Sequence, residues 1–62
     1  MIIGKIKIKY SNEIIEYENE NDFLHDLKEF IACMGIMAID VISYSKELGK
    51  KVETIYENEM GY

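Results

Sequence analysis

The sequence contains no proline, tryptophan, arginine or glutamine, and it has a single cysteine, Cys33. One cysteine cannot form an intramolecular disulfide. One cysteine and one histidine are also too few ligands for a structural zinc site. Without a disulfide or a structural metal site, a chain of 62 residues reaches a free energy of unfolding of no more than about 3–5 kcal/mol. We therefore expect one small domain, residues 1–62 with a frayed tail at 59–62, that depends on close packing or on a second subunit.

The sequence also lacks a long apolar run and a hydrophobic leader. Its longest apolar stretch, which ends at Val41, is interrupted by Gly35 and Asp40 and is too short to span a bilayer. The missing leader and the lone thiol both favour a reducing compartment. We expect a cytoplasmic protein with no membrane partner.

Positive charge is scarce as well. Seven lysines face twelve acidic residues, which gives a net charge of −5 and a pI near 4.7. An acidic surface repels the phosphates of DNA and RNA, so direct binding to nucleic acid is disfavoured. A protein partner with a basic surface is the better match.

The most regular segments are residues 5–10 and 13–18, where apolar and charged side chains alternate on either side of residues 11–12. This period is typical of half-buried strands, and the lysines precede a Ser-Asn turn while the glutamates follow it. A hairpin closed by residues 10–13 satisfies both faces at once. The predicted cross-strand pairs are Ile8 with Ile15, Ile6 with Tyr17, Lys7 with Glu16, and Lys5 with Glu18.

A helix is predicted after the hairpin. Asn21 or Asp22 can cap its first amides, and Gly35 is suited to end it. The residues between them place their apolar side chains on one helical face. These side chains are Phe23, Leu24, Leu27, Phe30, Ile31 and Met34.

Two further strands are predicted, at residues 37–45 and 51–57, around a turn at 47–50. The fold class is therefore α+β, in the order ββαββ, with a four-stranded sheet and one helix on one face. In element order and length it resembles the β-grasp-like immunoglobulin-binding domains of bacterial surface proteins, which implies the sheet order 2-1-4-3. That order places the lysine row of the first strand between two acidic rows, formed by Glu16, Glu18, Glu53 and Glu57.

The outer face of this sheet is predicted to carry an apolar cluster of Ile14, Ile42, Tyr44 and Ile55. Exposed apolar clusters mark contact surfaces, although isolated exposed isoleucines are also common on sheets without a partner. We interpret the cluster as the site of homodimerisation and of binding to a larger protein. The third strand, at the edge of the sheet, could accept a strand from the partner.

An alternative function rests on the acidic surface. Carboxylates can stand in for phosphates in the basic cleft of a nucleic-acid-handling enzyme, as in small acidic inhibitors from phages and mobile elements. A solvated face that keeps the protein soluble is the simpler interpretation. The residues concerned are Glu18, Glu20, Asp22, Asp26 and Glu29.

No motif indicates catalysis, a cofactor or a metal. The serines have no histidine partner, and the sequence contains no glycine-rich phosphate loop. His25, Glu29 and Cys33 follow at steps of four, but two helical turns of about 11–12 Å separate the histidine from the cysteine. We expect a protein that is not an enzyme.

Overall fold

The computed structural model describes residues 1–59. Within them the elements are β1 (Gly4–Ile8), β2 (Glu13–Tyr17), α1 (Glu20–Met34), a 3₁₀ helix (Ile36–Ala38), β3 (Ile39–Ser43) and α2 (Lys46–Glu59). The three strands form an antiparallel sheet in the order β2-β1-β3. The chain is α+β as predicted, but the prediction of a four-stranded sheet with one helix, in the order 2-1-4-3, is wrong.

The difference between the predicted and the observed fold lies in α2. This helix occupies the predicted turn at 47–50 and the predicted strand at 51–57. The hydroxyl of Ser45 caps this helix by accepting from the Leu48 amide at 3.1 Å. Its apolar side chains recur at helical rather than alternating spacing and pack on the core. They are Leu48, Val52, Ile55 and Tyr56. Glu59 belongs to this helix, and the rest of the predicted tail, 60–62, lies outside the described residues.

Replacing Thr54 with alanine tests the helical assignment. Thr54 is exposed and its hydroxyl donates to the Lys50 carbonyl at 3.0 Å, a bond that does not favour helices. Alanine has the higher helix propensity, so the free energy of unfolding should rise by about 0.5 kcal/mol in urea titrations. Thr54→Val, with a helix propensity close to that of threonine, should stay near the wild type. A strand would show the reverse order, with valine more stable than alanine.

The hairpin register differs from the predicted one by two residues. Ile6 lies opposite Ile15 and Lys5 opposite Glu16, because a longer turn at residues 9–12 joins the strands. Asn12 has a φ of 56° there, a left-handed conformation that asparagine tolerates. A shift of two residues keeps every side chain on its predicted face.

The predicted charge pairs change with the register and with α2. The ammonium of Lys5 lies 3.5 Å from Glu16, and that of Lys9 lies 3.6 Å from Asp40. Glu53 and Glu57 are on α2, so the prediction that they flank the lysine row as part of a strand is wrong.

Helix α1 is capped by Asn19, two residues before the first predicted cap, Asn21, and it ends where predicted. The side chain of Asn19 accepts from the Asp22 amide at 3.1 Å. At the other end Gly35 has a φ of 91°, which favours glycine, and its amide donates to Ile31. The helix therefore stops before the 3₁₀ turn that leads into β3.

Both helices cover the same face of the sheet and share one core with it. The core is centred on Ile6, Phe23 and Leu27, which are completely buried. Helix α1 lies across all three strands, whereas α2 packs mainly beside β3 and against α1. The Lys51 ammonium of α2 binds Glu20 of α1 at 2.7 Å. The opposite face of the sheet is left open.

Candidate functional site

We call the side of the sheet away from the helices the open face. The strand registers arrange its side chains in two rows across β2, β1 and β3. Alternation of side chains along each strand places the lysines of β1 in the centre, with β2 and β3 on either side. The rows are Glu16, Lys5 and Ile42, and then Ile14, Lys7 and Asp40.

Three of the four predicted contact residues are large, apolar and exposed. Ile14 is 58 % exposed, Ile42 48 % and Tyr44 56 %. The lysine row of β1 separates Ile14 from Ile42 on this face. The placement of Ile55 on the open face is wrong: it lies on α2 and packs against the core.

The charges of the open face are largely paired within the sheet. Hydrogen bonding to the Tyr44 hydroxyl raises the pKa of Lys5, and the Glu16 carboxylate adds to this effect. Lys7 has no ion-pair partner among residues 1–59. The lysine row is therefore mainly an internal electrostatic link between strands.

The backbone of β2 is exposed along its outer edge. Next to the two ends of β1, the Tyr44 amide donates to the Ile3 carbonyl and the Lys9 amide to Ala38, so by alternation Lys5 and Lys7 bond to β3. On the other side, the Tyr17 carbonyl of β2 accepts from the Ile3 amide and therefore points toward β1. The backbone groups of successive strand residues point to opposite sides, so the even-numbered residues of β1 bond to β2. Their partners on β2 are the odd-numbered residues Glu13, Ile15 and Tyr17. Ile14 and Glu16 consequently direct their amides and carbonyls away from the sheet.

The edge of β3, which the sequence suggested as the docking edge, is flanked by α2. A Cβ on Gly49 would lie 3.2 Å from the Ser43 hydroxyl, so the helix approaches β3 closely there. A shallow groove of about 500 Å³ opens beside this contact. It is lined by Ser43, Tyr44, Ser45, Lys46, Gly49, Lys50 and Glu53. Sequence reasoning missed it because it read α2 as a turn and a strand.

The predicted acidic surface is partly neutralised by contacts within the chain. Glu20 is held by Lys51 at 2.7 Å, and Glu18 lies 3.9 Å from the terminal ammonium. Glu29 lies 4.0 Å from His25, a contact that is ionic only when the histidine is protonated. Asp22 lies in the first turn of α1, where a negative charge favours the helix.

The fifth carboxylate of the acidic surface joins α1 to β2. Asp26 accepts a hydrogen bond from the Tyr17 hydroxyl at 2.8 Å. Burial raises the pKa of Tyr17, and the bond to Asp26 raises it further. Asp26 thus serves the packing of the helix on the hairpin.

A second apolar surface lies at the hairpin end of the sheet and was not recognised from the sequence. Tyr10 is 81 % and Met37 82 % exposed. Tyr10 follows Lys9 and Met37 precedes Ala38. A backbone hydrogen bond of 3.0 Å joins Lys9 to Ala38. The signal was weak, because Tyr10 is a single apolar residue beside the hairpin turn and Met37 lies in the apolar run 36–39, which indicates burial.

Residues 1–59 contain no group of three or more potential metal ligands. In the same part of the chain, neither helix combines the length and apolarity needed to cross a bilayer. Comparison of the chain with protein-family models, with curated proteins and with solved structures finds no match.

Proposed function

We propose that the chain is a small non-enzymatic interaction domain that associates with itself and with a larger protein through its sheet. The observation that carries this proposal is the open face, where Ile14, Ile42 and Tyr44 are about half exposed while both helices lie on the other side. Aromatic and branched apolar side chains on an otherwise charged surface are typical of contact sites. An exposed thiol at Cys33 supports a cytoplasmic location.

The size of the open face limits how tightly it can bind alone. Strands of 5 residues in a three-stranded sheet cover roughly 17 by 14 Å. A stable interface uses about 800 Å² from each partner. A durable complex therefore needs the neighbouring edges of the sheet as well as its face.

The alternative of nucleic-acid mimicry receives less support. Glu18, Glu20 and Asp26 already have partners within the chain, so the surface offers fewer free charges than the sequence suggests. A mimic of phosphate needs those charges unpaired to compete for a basic cleft.

Replacing Tyr44 with glutamate tests the proposed function. A charge at this exposed position of the open face should weaken partner binding at least about tenfold, because the glutamate would be desolvated in the interface. Mass spectrometry of proteins captured from the native host by wild-type and variant bait measures this effect.

Tyr10→Glu is the matched control. It makes the same substitution on a tyrosine that is more exposed and lies at the hairpin end of the sheet. It should retain the captured partner. If Tyr44→Glu, folded by circular dichroism, captured the partner as well as the wild type does, the open face would not be the contact surface for that partner.

A further inference from the structure

We propose that two copies of the chain pair through the free edge of β2, antiparallel about a two-fold axis at Ile15, to form a continuous six-stranded sheet. This inference rests on the proposed self-association and specifies the surface that carries it. The occupant of the edge is a second copy of the same strand, so each residue pairs with a counterpart related by the axis.

The backbone supplies the first argument. Ile14 and Glu16 point their amides and carbonyls outward, as derived above from the hydrogen bonds between β1 and β3. With the axis at Ile15, Ile14 of one copy forms a hydrogen-bonded pair with Glu16 of the other. Each of the two such pairs contributes two backbone hydrogen bonds, and no bond within the sheet is lost.

The charges of β2 are compatible with this register. Glu16 then lies opposite an isoleucine and Glu13 opposite Tyr17, so no two glutamates face each other directly. An axis at Glu16 would place two carboxylates opposite each other, which is unfavourable. Within each copy Glu16 is already held by Lys5 at 3.5 Å. The acidic residues therefore exclude an axis at Glu16 and allow one at Ile15, where the two copies of Ile15 also meet.

The helix side of β2 supplies an apolar contact. Ile15 faces the helices and is only partly buried, and two copies of it meet at the axis in the closer, non-hydrogen-bonded type of pair. Phe30 is also partly buried. It lies one helical turn after Asp26 on the same side of α1. Asp26 on that side accepts a hydrogen bond from Tyr17 of β2. A second copy would cover both side chains.

The arrangement of the helices favours β2 over β3. Helix α1 lies across the whole sheet, whereas α2 packs beside β3. Neighbouring helices lie about 10 Å apart but neighbouring strands only about 4.8 Å apart. Two copies joined at β3 would have to accommodate two α2 helices beside the joint, while a joint at β2 leaves only the two α1 helices as neighbours.

Amide hydrogen exchange of the wild-type chain tests this pairing. In dilute solution the Ile14 and Glu16 amides should exchange rapidly. At a concentration where nine-tenths of the chains are paired, their exchange should slow by about tenfold, because only unpaired chains exchange freely. The Val41 and Ser43 amides, which point outward from β3 by the same alternation, are the matched internal control and should change little.

The outcomes separate this inference from the proposed function. A chain that self-associates while protecting Val41 and Ser43 instead would show pairing through β3 and overturn the inference alone. Self-association with no new amide protection would point to contact between open faces and would also overturn it. A chain that never self-associates would contradict both the inference and the self-association on which it rests.

Ile14→Pro supplies an independent test. Proline removes the outward amide without removing a bond to β1, and edge strands tolerate it on the side away from the sheet. The folded variant should remain monomeric at concentrations where the wild type pairs. Ile14→Thr, which keeps the amide, should still pair. Pairing of Ile14→Pro as strong as that of Ile14→Thr would contradict the proposed edge.

Discussion

Replacement of Phe23 by alanine is expected to leave most of the chain unfolded at room temperature. Phe23 is completely buried, and its ring centre lies 5.3 Å from that of Tyr17. Removal of a buried phenylalanine ring costs about 3–5 kcal/mol. A domain of this size has about the same total stability, so little or nothing remains.

Circular dichroism and urea titration at low protein concentration check this expectation. Phe30→Ala is the matched control, since the same ring on the same helix is only partly buried. It should lower the unfolding midpoint but leave a cooperative transition. A cooperative transition for Phe23→Ala near the wild-type midpoint would show that the core is not centred on this ring.

Replacement of Gly4 by alanine should be the second most damaging change. A Cβ at this position would lie 2.8 Å from the Ile42 carbonyl oxygen and 3.0 Å from the Phe23 ring. The carbonyl belongs to the ladder between β1 and β3, so it cannot move without separating the strands. We expect a loss of about 1–3 kcal/mol in the free energy of unfolding, as for other overpacked cores.

Gly49→Ala serves as the control for Gly4→Ala. Its new Cβ would lie 3.2 Å from the Ser43 hydroxyl, the end of a side chain that can rotate. Within α2, alanine also gains up to about 1 kcal/mol over glycine in helix propensity. Urea titration should therefore find Gly49→Ala near or above the wild type. Equal stability of Gly4→Ala and the wild type would mean that β1 and β3 are not packed as closely as described.

Periodicity made half of the fold predictable. The alternation in residues 5–10 and 15–18 indicates strands, and the apolar face of residues 23–34 indicates a helix. The register was not predictable to better than two residues, because such a shift preserves both faces and only the turn length distinguishes the options. The segment containing Val52, Thr54 and Tyr56 satisfied alternation by coincidence. Its helical form depends on Leu48 reaching the core.

The candidate site was predictable to the same extent. Ile14 and Ile42 follow from alternation within their strands, since that pattern fixes which face each residue occupies. Ile55 was misplaced together with its segment. The groove beside β3 depends on where α2 packs, and no local pattern in residues 46–59 specifies that position.

Sedimentation equilibrium of the unmodified chain, from about 10 µM to about 1 mM, tests self-association through the sheet most directly. A weight-average mass that rises from 7.3 kDa toward twice that value is the expected result, with the rise absent in Ile14→Pro. A mass that stays at 7.3 kDa over the whole range would contradict it.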